Sequence, residues 1–429
     1  MSSSSLELIL TSSPDGPIIT YEAVTGTTVA KFSGSRIPCR GLATVNRGLI
    51  AASHVSLDTG AGWINVYNWY GSTAFHNFPV PEPVAPLIAY PDGEFLFAGG
   101  ISGSVFCLSV SSGEVIRSYA AHSKAVSSLH LSDDRSLVIS GSQNKHKGSE
   151  DGTIVVVPTF KVVVEAFTEE DLIFHKWKAH SDSVTAFNSG MGTLVSCSMD
   201  CTCKFWSQGS NGDLIRTVAF PCAIFGVALD SLGLGFHAAG ADGLVYEGVV
   251  KDESMESLGG GYEVNAWSKR HGGSIVSLAL LNEGKNLVSA SEDGNVWVWD
   301  VEKGEVTMVL GNEMVSISDM IVAKGSGDFG VRKGNNIEVG DGSSGFFTSS
   351  GLCHEEMIKT MKQITEIEED WDVLVQNKKR AIEMLESAIE TYERLLKLIL
   401  KEATKAIEVG EEEEEEEEQV KDDGKKEDN

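Results

Sequence analysis

The chain has no run of eighteen consecutive apolar residues, so it offers no helix able to span a bilayer. Basic residues are few: 34 Lys and Arg stand against 62 Asp and Glu in 429 residues, a formal net charge of −28. A chain so acidic lacks the broad positive footprint that nucleic acid binding requires, which leaves RNA contact to a local patch or to partners in a particle. Proline is scarce, at 10 against 45 glycines. That balance argues for many tight turns rather than Pro-rich disorder. The seven cysteines are odd in number and scattered, and no disulfide framework is expected. Their one tight group, Cys197, Cys201 and Cys203, has no His or Cys group at zinc spacing nearby, so all three read as packing or turn residues. Nucleophile-elbow, P-loop, HExxH and paired zinc motifs are missing as well. No catalytic residue, cofactor or metal site is therefore expected, and the chain reads as a non-enzyme. The start, Met1–Ser5, lacks the basic and apolar regions of a secretory signal, and a place inside the cell is expected.

What is present is a repeat. Residues 1–339 read as short apolar strands separated by Gly, Asp and Ser turns, in units of about 40 to 50 residues. Four short strands per unit is the signature of β-propeller blades. The clearest unit runs from Lys269 to Leu310, with strands at Ser274–Leu281, Asn286–Ser291, Asn295–Asp300 and Glu305–Leu310 and a turn at Asp293-Gly294. Polar residues recur at fixed places in these units. His180, a serine at 196 or 198, Asp200 and Trp206 form one set; His271, a serine at 289 or 291, Asp293 and Trp299 form another. We take Ser198 and Ser291 as the serines. A His–Ser–Asp–Trp hydrogen-bond chain can tie a blade's strands to its leading loop. A His, an Asp and a Ser also suggest a catalytic triad, but a triad repeated blade after blade is not an active site. These residues, with the dipeptide Trp299-Asp300, resemble the WD-repeat family. Other units depart from the pattern: Val157 replaces Trp, and the unit around Ala239–Asp242 keeps Asp242 but loses Trp.

Inner-strand candidates begin near Arg40, Val84, Ala125, Ser183, Ile224, Ser274 and Val315, which predicts seven blades. The first three strands, Leu6–Ser12, Ile18–Ala23 and Thr28–Phe32, lack an inner strand of their own. Val315–Lys324 would supply it and close the ring with both ends of the propeller in one blade. Phe329–Val339 is left over as surplus or as the start of an eighth blade. Two insertions, Gln143–Glu150 and Pro158–His175 with Phe160, Phe167 and Phe174, are candidate recognition loops.

Past a Gly/Ser-rich linker at 340–352, the composition changes to that of a helix over 353–408. Apolar residues step four and three alternately, the coiled-coil pattern. Its better half carries the seam Ile382, Leu385, Ile389, Tyr392, Leu396 and Ile399. A stripe this long needs a partner, and homodimerisation is expected. Residues 409–429 hold the run Glu411–Glu418 and read as a disordered acidic tail. The expected architecture is thus an all-β seven-bladed propeller, a coiled-coil α-helix and an acidic tail.

The segments ELILTSSPDGPIITYEAVTG, GGISGSVFCLSVSSGEVIRSYAAHSKAVSSL and SASEDGNVWVWDVEKGEV, in this order of domains, resemble the propeller subunit of the Rix-type complex. That resemblance implies a nuclear scaffold, in nucleolus and nucleoplasm, acting in assembly of the 60S ribosomal subunit and in pre-rRNA processing. It further implies a helical-repeat subunit, an AAA ATPase and the pre-60S particle as partners, and dimerisation through the C-terminal helix. The plant members of that family imply a role in root initiation and meristem development. Two other readings of the propeller are a cullin ubiquitin-ligase adaptor and a transcription-regulator scaffold. The first expects Arg two residues after Trp-Asp, where this chain has Glu302.

Overall fold

The computed structural model describes residues 6–325 apart from 15, 34–36, 46–47, 57–59, 70, 144–151, 164–166, 209–211, 231, 251–263 and 311–314. All of these lie within the compact unit Met1–Arg332. The linker, the coiled-coil helix and its seam, the acidic tail and the leftover segment Phe329–Val339 lie outside the described residues, as does most of the insertion Gln143–Glu150.

Seven four-stranded antiparallel sheets make up the unit, each a blade. The inner strands are Leu42–Val45, Val84–Ala89, Val126–Leu131, Val184–Gly190, Ile224–Leu229, Ile275–Leu281 and Asp319–Gly325. We number the blades 2 to 7 from the first six of these strands. Blade 1 is composite: Asp319–Gly325 pairs with Leu6–Ser12, in register from Leu6 opposite Gly325 to Ser12 opposite Asp319. Ser12 and Ser318 add a hydroxyl contact of 3.0 Å beside that seam. The inner strand that the first segment lacked comes from the far end of the propeller, and no sheet edge is left open at the seam.

Alternation along each strand explains the core. In Thr193–Ser198, for example, both faces are buried, because a blade packs against a neighbour on each side. Seven apolar clusters among the described residues follow from this, one at each blade boundary. Between blades 6 and 7, Val245 and Trp267 meet Leu287 and Trp299; the Trp299 side chain is wholly buried. Side-chain hydroxyls also cross the boundaries to inner-strand carbonyls. Ser127 donates to Val184 at 2.5 Å, Ser277 to Met320 at 2.9 Å, and Ser53 and Thr185 to Val84 and Ile224.

Two expectations change. Cys197 and Cys203 are joined in a disulfide, not merely packed. They stand opposite each other on adjacent strands, which a chain-wide cysteine count does not show. Cys201 occupies the turn between them, with φ of +64°. The insertion after Pro158 folds back as two short helices, Thr159–Val163 and Glu169–Leu172, with Val162 and Leu172 buried. Arg117 holds the Phe167 carbonyl at 2.9 Å, while Phe160 and Phe174 remain exposed.

Candidate functional site

His180 sits between the outer strand of blade 4 and the inner strand of blade 5. Its Nε2 lies 2.9 Å from Ser196 Oγ, and Trp206 Nε1 donates to that same oxygen at 2.8 Å. Its Nδ1 faces Asp200 Oδ2 at 3.1 Å, and the same carboxylate accepts the Ser181 N–H at 3.0 Å. Blade 7 repeats the arrangement. His271 Nε2 meets Ser289 Oγ at 2.8 Å, Trp299 Nε1 donates to it at 2.8 Å, and Asp293 accepts the Gly272 N–H at 2.7 Å. His271 Nδ1 lies 3.5 Å from Asp293. A single tautomer, with hydrogen on Nδ1, lets indole donate to hydroxyl and hydroxyl to imidazole in both blades.

The serines are a correction. Ser196 and Ser289 join the chains, whereas Ser198 and Ser291 accept the backbone N–H groups of Asp200 and Asp293 at 3.1 and 3.2 Å. Residues two apart on a strand share a face, so spacing alone does not separate them. Depth does: Leu194 and Leu287 stand opposite Trp206 and Trp299, which brings the indoles near the serine two positions on.

Burial pushes the Asp200 carboxyl up, but hydrogen bonds from His180 and Thr202 outweigh it and hold the group well below the usual carboxylate range. Burial also drives His271 down, against the pull of Asp293. Ser196 and Ser289 are fully buried, their hydroxyls committed to indole and imidazole. Such a hydroxyl reaches no substrate, and the constellation ties strands together. A glycine completes the tie: Gly152, at φ of +99°, accepts the His180 N–H on its carbonyl at 3.0 Å, and a Cβ there would lie 2.4 Å from the His180 carbonyl oxygen.

The weaker blades rewire this network. In blade 4, His122 pairs with Ser140 and Thr153, each at 2.9 Å, and Val157 takes the Trp position. In blade 6, Tyr246 donates to Asp242 at 2.7 Å, and Gly248 stands opposite Phe236, as Trp206 stands opposite Leu194. A Cβ on Gly248 would meet the Phe236 ring at 2.6 Å, so a large–small exchange across the strand pair refills the space.

The loops that lead into the inner strands of blades 2, 3 and 4 surround a cavity of about 830 Å³ at the channel mouth. Pro83 and Ile101 give it apolar wall, Lys124 a cation, and Ser102 and Ser123 hydroxyls. Arg40 lines both this cavity and a second one, of about 230 Å³, among the inner strands. Its guanidinium reaches across the ring to the Phe225 carbonyl of blade 6, while its own carbonyl accepts the Leu87 N–H of blade 3 at 2.9 Å. Asp319 of blade 1 is buried beside it and accepts from the Leu42 and Met320 N–H groups at 3.0 and 2.8 Å. Burial pushes Asp319 up to about 6, against those bonds and the Arg40 charge. Burial also lowers Arg40, against the pull of the Asp319 charge. Burial and the Asp319 charge likewise push the Cys39 thiol up. Arg40, Asp319 and Tyr246 were not anticipated from the sequence; Arg40 and Asp319 meet partners 185 and 277 residues away, and no local motif marks them. No group of three His, Cys, Asp or Glu among the described residues is placed to hold a metal. The mouth can seat a protruding side chain or loop, which is binding chemistry.

The family model described as WD domain, G-beta repeat matches residues 113–156, 173–207 and 266–300, which include both complete tetrads. Protein ROOT INITIATION DEFECTIVE 3 of Arabidopsis thaliana is 32% identical over 343 residues, covering 78% of this chain and 72% of that protein. Human WD repeat-containing protein 18 is 25% identical over 66% of this chain and 65% of its own length. Pre-rRNA-processing protein IPI3 of Yarrowia lipolytica is 26% identical over 59% of this chain and 60% of its own length.

Proposed function

This chain belongs to the WD-repeat family of Root initiation defective 3 and the pre-rRNA-processing protein IPI3, and we propose on that footing that it is a non-enzymatic scaffold in ribosome biogenesis. The observation that carries the reading is the match to the Arabidopsis protein across 78% of the chain. The structure is consistent with it in one respect: the His–Ser–Asp sets are sealed and structural, and the open feature is a binding cavity. The chain works in the nucleus, in pre-rRNA processing on the large-subunit precursor. Its partners are a helical-repeat protein, an AAA ATPase and a second copy of itself paired through residues 353–408. In a plant the same activity would serve root initiation and meristem growth, because dividing cells need many ribosomes.

Tagged purification from nuclear extract, with mass spectrometry before and after nuclease and salt washes, tests this. Large-subunit assembly factors retained with a helical-repeat protein and an AAA ATPase are expected. Recovery of cullin adaptors or histone-modifying subunits without pre-60S proteins would overturn the reading.

A further inference from the structure

Between blades 4 and 5, away from the channel mouth, lies a slot of about 40 Å³, walled in part by the ring of Trp206. Its lining includes His175, Trp177 and Gln208, each of which carries a buried side-chain nitrogen: Nε2, Nε1 and Nε2 respectively. None of the three finds a hydrogen-bond partner among the described residues. Buried donors are paired as a rule, so three in one place mark a site built for something outside the chain. Strand geometry brings two of them together. His175 and Trp177 are two apart on the outer strand His175–Lys178 and so share a face. The third comes from the end of the blade 5 strand that carries Trp206, whose ring packs edge-on against Trp177 at 5.5 Å. Val156 and Leu194 add apolar wall, and Phe174, 54% exposed, stands at the lip against His175.

The chemistry selects the occupant. An indole N–H, a carboxamide and an imidazole offer donors to acceptors, and a carboxylate has two oxygens with about four acceptor sites, which three donors can fill. No acidic residue lines the slot among the described residues, while Lys176 and Lys178 of its edge strand lie on the opposite face, Lys176 donating to the Ala121 carbonyl at 2.9 Å. We propose that this slot docks an aspartate or glutamate side chain of a partner protein, presented on a segment with an apolar residue beside it. The chain's own run Glu411–Glu418 has the carboxylates but no apolar residue for the wall.

The test uses the full-length protein with ¹⁵N-labelled indoles, the Trp177 resonance being assigned by its loss in Trp177→Phe. The probes are the peptide acetyl-Leu-Glu-Leu-Gly-amide, its Gln counterpart and octaglutamate. A saturable shift of the Trp177 N–H with the Glu peptide is expected, with binding weakened about tenfold in Gln208→Leu and by the Glu-to-Gln exchange in the peptide. An immobile Trp177 signal at millimolar peptide overturns the proposal, as does undiminished binding by Gln208→Leu. Octaglutamate binding as tightly as the Glu peptide would assign the slot to the chain's own tail and overturn it too. The outcome is independent of whether pre-60S proteins are recovered in the purification.

Discussion

A hydroxyl shared between an indole and an imidazole leaves two buried nitrogens stranded when it is removed. Ser196→Ala is therefore expected to destabilise the propeller by about 2 kcal/mol, since Trp206 Nε1 and His180 Nε2 lose their partner. Ser198→Ala strands only the Asp200 N–H and should cost less, about 1 kcal/mol. Urea unfolding of the two variants decides it, and a larger loss for Ser198 would contradict the assignment. The buried histidines carry a pH dependence. Burial pushes His122 down to about 3 and His130 to about 4, against about 6.5 for a free imidazole. Their contribution to stability is present above the unfolded value and is lost as pH falls toward the folded ones, because the unfolded chain then binds more protons. Asp319 acts with the opposite sign. Raised to about 6, its contribution is present below about 3.8 and lost as pH rises through 6. Two imidazoles against one carboxyl leave a net loss of stability between about pH 6.5 and 4. The urea midpoint should fall over that range, and fall less in His130→Gln; an identical fall would show that His130 is not a source.

Blades tolerate the loss of their signature residues when a neighbour fills the space. Blade 6 shows how: Phe236 occupies the volume that an indole holds in blades 5 and 7, and Gly248 opposite it leaves the room. Gly248→Ala should overpack this strand pair and cost about 1–3 kcal/mol. Combining it with Phe236→Leu should cost less than the sum of the two single changes, as coupled neighbours do. Calorimetry on the four proteins would show additive losses if the two positions were independent. The insertion in blade 4 illustrates the same economy. Val162 and Leu172 anchor its two helical turns, so the excursion is part of the fold while Phe160 and Phe174 face outward.

At the scale of the whole propeller, closure rests on contacts between residues far apart in the chain. Arg40 of blade 2 reaches Phe225 of blade 6 and neighbours Asp319 of blade 1 in the channel wall. Asp319→Asn removes the partner of the Arg40 charge but also the cost of burying a carboxylate, so the net loss should be small, about 1 kcal/mol. The double change Arg40→Met with Asp319→Asn should cost less than the sum of the two, since it removes both charges. Equal or greater loss in the double variant would exclude the pairing. The proposed self-association through residues 353–408 belongs to this scale as well. Replacing Ile382, Ile389 and Leu396 with Asp is expected to turn a dimer into a monomer in sedimentation equilibrium; a variant that still sedimented as a dimer would remove this seam from the account.

The sequence by itself pointed to seven blades with a shared closing blade, from seven starts of apolar strands and three orphan strands at the beginning, and left an eighth open through Phe329–Val339; the seven sheets of the structure bear out the seven. It also determined where the two complete tetrads lie, since His180, Asp200 and Trp206 recur as His271, Asp293 and Trp299 at matching spacings. Periodicity is a local property and survives in one dimension. Only the tertiary structure decided which serine completes each tetrad, because 196 and 198 share a face and differ in depth alone. The Cys197–Cys203 pairing, the Arg40 reach across the channel and the meeting of His175, Trp177 and Gln208 in one slot were equally hidden. Each depends on register or on which blades become neighbours, and neither leaves a mark at fixed spacing along the chain.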